Sequence, residues 1–236
     1  MICITGDIHG ETKYVTQLCE RYAPSPTDYI ILLGDVGVNY HCDLRDRHRK
    51  EALAACGVPI LCIHGNHEQR PAGLGPYSLK EWNGGQVWVE EDFPQLLFAK
   101  DGEIYTIDGY RFIVIGGAYS IDKLYRISNR IGWWPDEQPS VEIKEYTERQ
   151  LAAHRIDYVL SHTCPFRYEP KERMLPGFDR SRIDDSTERW LDTIEASTDY
   201  KGWYCGHWHT DKRIDKMHFL YHGVECLPGS GKEDQL

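Results

Sequence analysis

Thr5-Gly6-Asp7-Ile8-His9-Gly10 follows an apolar run, Ile2-Cys3-Ile4, and sets a carboxylate and an imidazole two positions apart between two glycines. At the frayed end of a strand, residues i and i+2 can both turn toward one point beyond the sheet edge. The flanking glycines let the backbone come close to whatever lies there. Oxygen and nitrogen donors that converge in this way suit a divalent metal. The same grammar recurs along the chain. Ile30-Ile31-Leu32-Leu33 runs into Gly34-Asp35, and Ile60-Leu61-Cys62-Ile63 runs into His64-Gly65-Asn66-His67-Glu68. Tyr158-Val159-Leu160 leads to Ser161-His162, and Trp203-Tyr204-Cys205 leads to Gly206-His207-Trp208-His209. Apolar segments that each end in Asp, Asn or His predict one cluster assembled from several strand ends.

The spacers between these segments fit an α/β fold. Tyr14, Val15, Leu18, Cys19 and Tyr22 recur at helical spacing, with Thr12 as the expected N-cap and Pro24-Ser25-Pro26 as the stop. Strand, helix and strand in so short a span form a βαβ unit, which makes the first two strands parallel neighbours. A second helix is expected over Leu44 to Cys56, its Arg45, Arg47, His48, Arg49 and Lys50 forming a solvated face. The Gly- and Pro-rich stretch 71–85 reads as a loop over the site. Short apolar pieces from 86 to 119, with Asp108-Gly109 as a hairpin turn, predict an antiparallel block that starts a second sheet. Helices are expected over Ser140 to Arg155 and Asp185 to Ser197, and short strands over Lys212 to Cys226. No repeat or linker divides the chain, so residues 1–236 read as one domain, with irregular loops at about 116–140 and 165–183 shaping the site.

Composition bounds the function. The chain has 236 residues, 41% of them hydrophobic, enough for a substantial core. Its 37 acidic residues outnumber 27 basic ones, for a net charge of −10. That balance argues against a general nucleic-acid or anionic-membrane binder and leaves nucleic acid possible only as a substrate. The eight cysteines are scattered without a C-x-x-C pair, and several lie in apolar runs where they read as small buried hydrophobes. With a first strand that begins at Met1 and no signal-like or membrane-spanning apolar run, this predicts a cytoplasmic protein. Gly229-Ser230-Gly231-Lys232 lacks the rest of a P-loop and is not taken for one.

The predicted cluster contains Asp7, His9, Asp35, Asn66, His162, His207 and His209, with His67 adjacent. Two carboxylates, an amide and four imidazoles exceed the needs of one tetrahedral ion and suit two ions that share a carboxylate. Asp35, after a strand near the middle of the parallel sheet, is the natural bridge. Glu68 is expected to orient a ligand loop, and His41, His48, His64, His154, His218 and His222 are read as structural or surface residues.

G-D-x-H-G, G-D, G-N-H-E, a lone His after a strand and G-H-x-H, in that order from Gly6 to His209, resemble the calcineurin-like metallophosphoesterase superfamily. The resemblance implies an α/β fold of two packed mixed β-sheets flanked by helices, with a dinuclear site at one edge. It assigns Asp7, His9 and His209 to one ion, Asn66, His162 and His207 to the other, and Asp35 to both. It implies two divalent cations, Mn first and Fe, Zn, Co or Ni as alternatives, and a metal-activated hydroxide attacking phosphorus in line. His67 would be the acid and Asn66 would face the substrate phosphate, while Lys123, Arg126, Arg130 and Arg182 of the two irregular loops, Lys123 and Arg126 first, are candidates to grip it. The second motif departs from the G-D-x-x-D-R-G of protein phosphatases, reading Gly34-Asp35-Val36-Gly37-Val38-Asn39-Tyr40. The expected activity is therefore that of a phosphatase on a small or nucleotide-like phosphoester. The alternatives are a phosphodiesterase or nuclease of the same superfamily, or a non-catalytic scaffold.

Overall fold

The computed structural model describes residues 1–22, 25–174 and 180–229. The sheets are built by period-2 alternation. Ile2, Ile4, Ile31, Leu33, Leu61 and Ile63 from one sheet pack face to face with Phe112, Val114, Leu160 and Tyr204 from the other. The alternate residues Cys3, Ile30, Leu32, Ile60 and Cys62 point outward against Val15, Leu18 and Leu53 of two helices. On the far side, Ile113, Val159 and Trp203 pack against Leu191 and Ile194 of a third. Strands buried on both faces explain why these segments read as continuous apolar runs.

The first sheet has seven strands in the order β13-β1-β2-β3-β6-β5-β4. These are β1 (Ile2–Thr5), β2 (Tyr29–Leu32), β3 (Ile60–Cys62), β4 (Tyr77–Trp82), β5 (Gly85–Glu90), β6 (Leu96–Ala99) and β13 (Val224–Leu227). The second runs β11-β12-β10-β9-β8-β7. Its members are β7 (Ile104–Ile107), β8 (Tyr110–Ile115), β9 (Tyr158–Ser161), β10 (Gly202–Cys205), β11 (Lys212–Ile214) and β12 (Met217–Phe219). Helices α1 (Thr12–Tyr22) and α2 (Leu44–Ala54) cover the first sheet; α3 (Lys123–Asn129), α4 (Val141–Ala153) and α5 (Ser186–Ser197) follow. Strands β1, β2 and β3 are parallel, as are β8, β9 and β10, so the chain leaves all six at their carboxyl ends.

Several sequence expectations need correction. Residues 77–82 are not loop: they form β4, joined to β5 by Asn83 and Gly84, both at positive φ, a two-residue turn whose Asn-Gly signal is plain once seen. The block from 86 to 119 does not belong to one sheet. β5 and β6 complete the first, because the wholly buried Leu96–Ala99 run pairs in parallel with β3, and only β7 onward starts the second. Thr12 is the first helical residue and not the cap before it. The irregular stretch 116–140 contains α3, and within 165–183 residues 175–179 lie outside those described, as do Pro24 and Ser230 to Lys232.

The charge run on α2 is only partly solvated. Lys50 is 7% exposed and meets Glu90 at 2.6 Å, while Arg49 Nη1 donates to the Gly37 carbonyl at 2.7 Å. The cysteine reading is corrected too, since Cys3 on β1 and Cys226 on β13 face one another across the antiparallel pair and form a disulfide. Partners 223 residues apart left no local signal. Denatured, unreduced protein should therefore titrate as the six free thiols Cys19, Cys42, Cys56, Cys62, Cys164 and Cys205, and eight would refute the bridge. Cys226→Ser should lower unfolding stability by roughly 2–4 kcal/mol in urea, the usual worth of a bridge closing a long loop.

Candidate metal centre

The carboxyl ends of both sheets meet at one edge, and their loops are bonded to one another. His9 N donates to the Asp35 carbonyl at 2.7 Å, His67 N to Asp35 Oδ1 at 2.8 Å, and His207 N to Asp7 Oδ1 at 2.9 Å. Glu68, buried, accepts from Gly65 N and Gly37 N and so ties the loop after β3 to the loop after β2. Two glycines are fixed by close approach: a Cβ on Gly65 would strike the Asp35 carboxylate, and one on Gly206 would strike that of Asp7. His9, Asp35, His207 and His209 all adopt positive φ, a conformation uncommon for non-glycine residues and concentrated at functional sites.

Side-chain geometry shows why these loops are held so tightly. Nδ1 of His162 faces the Leu33 carbonyl at 2.7 Å, which can only accept, so that nitrogen carries a proton. In the neutral ring Nε2 is then a lone pair, and it faces Asn66 Oδ1 at 2.9 Å and Asp35 Oδ1 at 3.6 Å. Asn66 is oriented by its amide nitrogen, which donates to Ser120 Oγ at 2.9 Å. Three acceptors thus converge in a buried spot, with only the His67 amide directed at Asp35 Oδ1, an arrangement that a cation satisfies.

A second convergence lies beside the first. His9 Nε2 and His209 Nε2 are 2.9 Å apart, and Asp7 Oδ2 is 3.3 Å from His209 and 3.9 Å from His9. Donor atoms of Asp7, His9 and His209 all lie within 4.8 Å of one another, as do those of Asp7, Asp35 and His162. Ligands on one ion with bonds of about 2.1 Å stand roughly 3 to 4 Å apart, so both groups fit a metal after small adjustments. Asp7 belongs to both groups by distance, whereas Asp35 presents one oxygen to each side, Oδ1 to His162 and Oδ2 to His9 at 3.9 Å. His207 joins the His162 group by ring contact, its centroid 5.0 Å from that of His162.

Electrostatics agree with a cation site. Burial disfavours the charge on Asp7, yet the His209 hydrogen bond, nearby His162 and the His207 amide outweigh it and hold its carboxyl below the usual range. The same hydrogen bond raises His209, while burial pushes His207 well down and leaves it neutral. Burial also lowers His67, whose Nε2 lies 3.9 Å from Asp35 Oδ2 at the mouth of a cavity.

That cavity, about 400 Å³, opens over Asp35, Asn66, His67, His207 and His209. Of the cations expected to grip phosphate, Arg130 and Arg182 are not among the lining residues, and Arg126 is in the wall but held by Asp122, with Nε 2.8 Å from both carboxylate oxygens. Lys123 is not among the lining residues; its ammonium lies 4.5 Å over the Trp133 ring. Arg173, Trp208 and Glu188 line the cavity and were not singled out from sequence. Arg173 is close enough to lower the proton affinity of His209, and no motif marks it. Glu188 accepts from Thr163 Oγ1 at 2.9 Å, and Trp208 Nε1 donates to that hydroxyl at 3.3 Å, which links α5 to both histidine loops of the second sheet.

The profile of the family described as calcineurin-like phosphoesterase matches residues 1–211. The crystal structure of TT1561 of Thermus thermophilus superposes with a TM-score of 0.52 at 12% sequence identity, covering 93% of this chain and 87% of that one, a likeness of fold. No curated protein matches.

Burial raises Glu188 to about 7 from its ordinary 4.5. The folded chain then binds more protons than the unfolded chain between those values, so this group's contribution to stability falls as pH rises through that window and levels off above it. Urea unfolding of metal-free protein at pH 5 and pH 8 should show the loss, and Glu188→Gln should abolish it, a difference of about 3 kcal/mol.

Proposed function

The chain belongs to the calcineurin-like phosphoesterase family, whose members hydrolyse phosphoesters with divalent metals, and on that premise we propose that it is a dinuclear phosphatase of small phosphoesters. Residues 1–236 are read as one catalytic domain, in keeping with the single core shared by the two sheets. Asp7, His9 and His209 would hold one ion, Asn66, His162 and His207 the other, and Asp35 both. The observation that carries this assignment is the buried convergence of His162 Nε2, Asn66 Oδ1 and Asp35 Oδ1. Nitrogen and oxygen donors without thiolate suit Mn, with Fe, Zn, Co and Ni as alternatives.

When bound, such a pair supplies Lewis-acid activation of water and neutralises phosphate charge. The chain's own residues do the rest. Ser120 fixes the Asn66 amide, so that the loop after β3 keeps one orientation as substrate enters. Arg173 faces the cavity beside His209 and adds positive charge for the phosphate, the part first assigned to Lys123 and Arg126. His67, at the cavity mouth with its ring toward Asp35, is placed to give a proton to the departing oxygen. His162 is fully buried, which keeps bulk water from its ring.

Hydrolysis of an aryl phosphate monoester should depend on added Mn²⁺ and vanish in Asp35→Asn and in His207→Ala; turnover surviving both would sink the site. His67→Ala should still bind metal by calorimetry but turn over about 100- to 10,000-fold more slowly. Loss of an ion would instead make His67 a ligand. A diester cleaved faster than the monoester would move the reading to a phosphodiesterase.

A further inference from the structure

Beyond the metal cluster, the cavity wall is largely apolar. Tyr119, Ile121, Met174, Ile183 and Trp208 line it, and Ile121 stands 64% exposed at its rim. The segment that begins there carries more bare hydrocarbon: Leu124 is 60% exposed, Tyr125 61% and Ile127 48%, and α3 buries none of its residues. Scattered surface apolar residues need no explanation, but several on one short segment beside a catalytic cavity do. Within the wall Arg126 is spent on Asp122, Glu169 is spent on Arg180 from outside it, and Glu188 adds a further carboxyl. Arg173, the remaining cation among the described residues of the wall, lies on the phosphate side near His209. A leaving group rich in phosphates would meet apolar surface and carboxyl groups there; a hydrocarbon would meet its like.

We infer that the phosphoester is an amphiphile, its phosphate at the cluster and its apolar alcohol lying in the cavity against Ile121, Met174, Ile183 and Trp208 and emerging across α3. This narrows the phosphatase reading and rests on it. The continuity between the exposed segment and the cavity selects this occupant, because Ile121, Asp122 and Arg126 belong to both.

The test is the chain-length dependence of kcat/KM for ethyl, butyl, hexyl and octyl phosphate with Mn²⁺, below their aggregation concentrations. We expect a rise of about two- to fourfold per added methylene, the gain from burying hydrocarbon, and less turnover of glucose 6-phosphate than of hexyl phosphate. Ile121→Ser and Leu124→Ser, at exposed positions, should flatten the rise. Leu79→Ser, exposed on the remote edge strand β4, should leave it intact. A flat wild-type series, or a rise that survives both rim variants, overturns the inference while leaving the phosphatase reading in place. If no ester is hydrolysed the phosphatase reading fails. The matching alkylphosphonates, measured by calorimetry, then decide whether the cavity still holds a chain, and affinity independent of length overturns the inference there as well.

Discussion

Unshared lone pairs govern this fold's active edge. Asp7, Asp35, Asn66, His9, His162 and His209 bring oxygen and nitrogen atoms into contact with one another, with His162 and both carboxylates buried. Without a cation the buried His162–Asn66–Asp35 group in particular is costly, while the Asp7–His209 hydrogen bond offsets part of the cost on the other side. The gathering holds together because the surrounding backbone leaves it no alternative. Peptide N–H groups of His67 and His207 pin the two carboxylates, a carbonyl pins His162, and Glu68 stitches adjacent loops. Four donor residues accept left-handed backbone to complete the convergence.

The two sheets make that convergence possible. Each contributes parallel strands whose carboxyl ends lie at the same edge, so short loops suffice to carry every donor. Packing between the sheets is dense enough, through Ile4, Leu33 and Ile63 on one side and Val114, Leu160 and Tyr204 on the other, to set the spacing between donors from different sheets. The helices contribute indirectly: Arg49 of α2 caps the Asp35 loop at Gly37, and Glu188 of α5 reaches the histidine loops through Thr163.

Sequence made the donors legible because each follows an apolar strand at fixed offset, a local pattern. The same locality explains what was missed. Arg173 and Glu188 reach the cavity from irregular or helical surroundings with no motif, and their role depends on a long-range approach. Ser120 was quoted as part of a loop, but nothing in the chain tells that its hydroxyl meets Asn66. The division between sheets was misplaced because an antiparallel hairpin looks alike in either, and only the parallel pairing of β6 with β3 decides it. The cysteine pair required knowing that the strand at 224–227 lies beside the first.

The parallel arrangement has one more consequence. If every chemical group sits where strands end, then the turns where they begin form an inert pole. There Met1 meets Asp28 and Asp108, Asp157 binds the Arg111 amide, and the space around Gly57 is open. Fusion partners, affinity handles or a surface for immobilisation could be grafted at those turns, half a molecule away from catalysis.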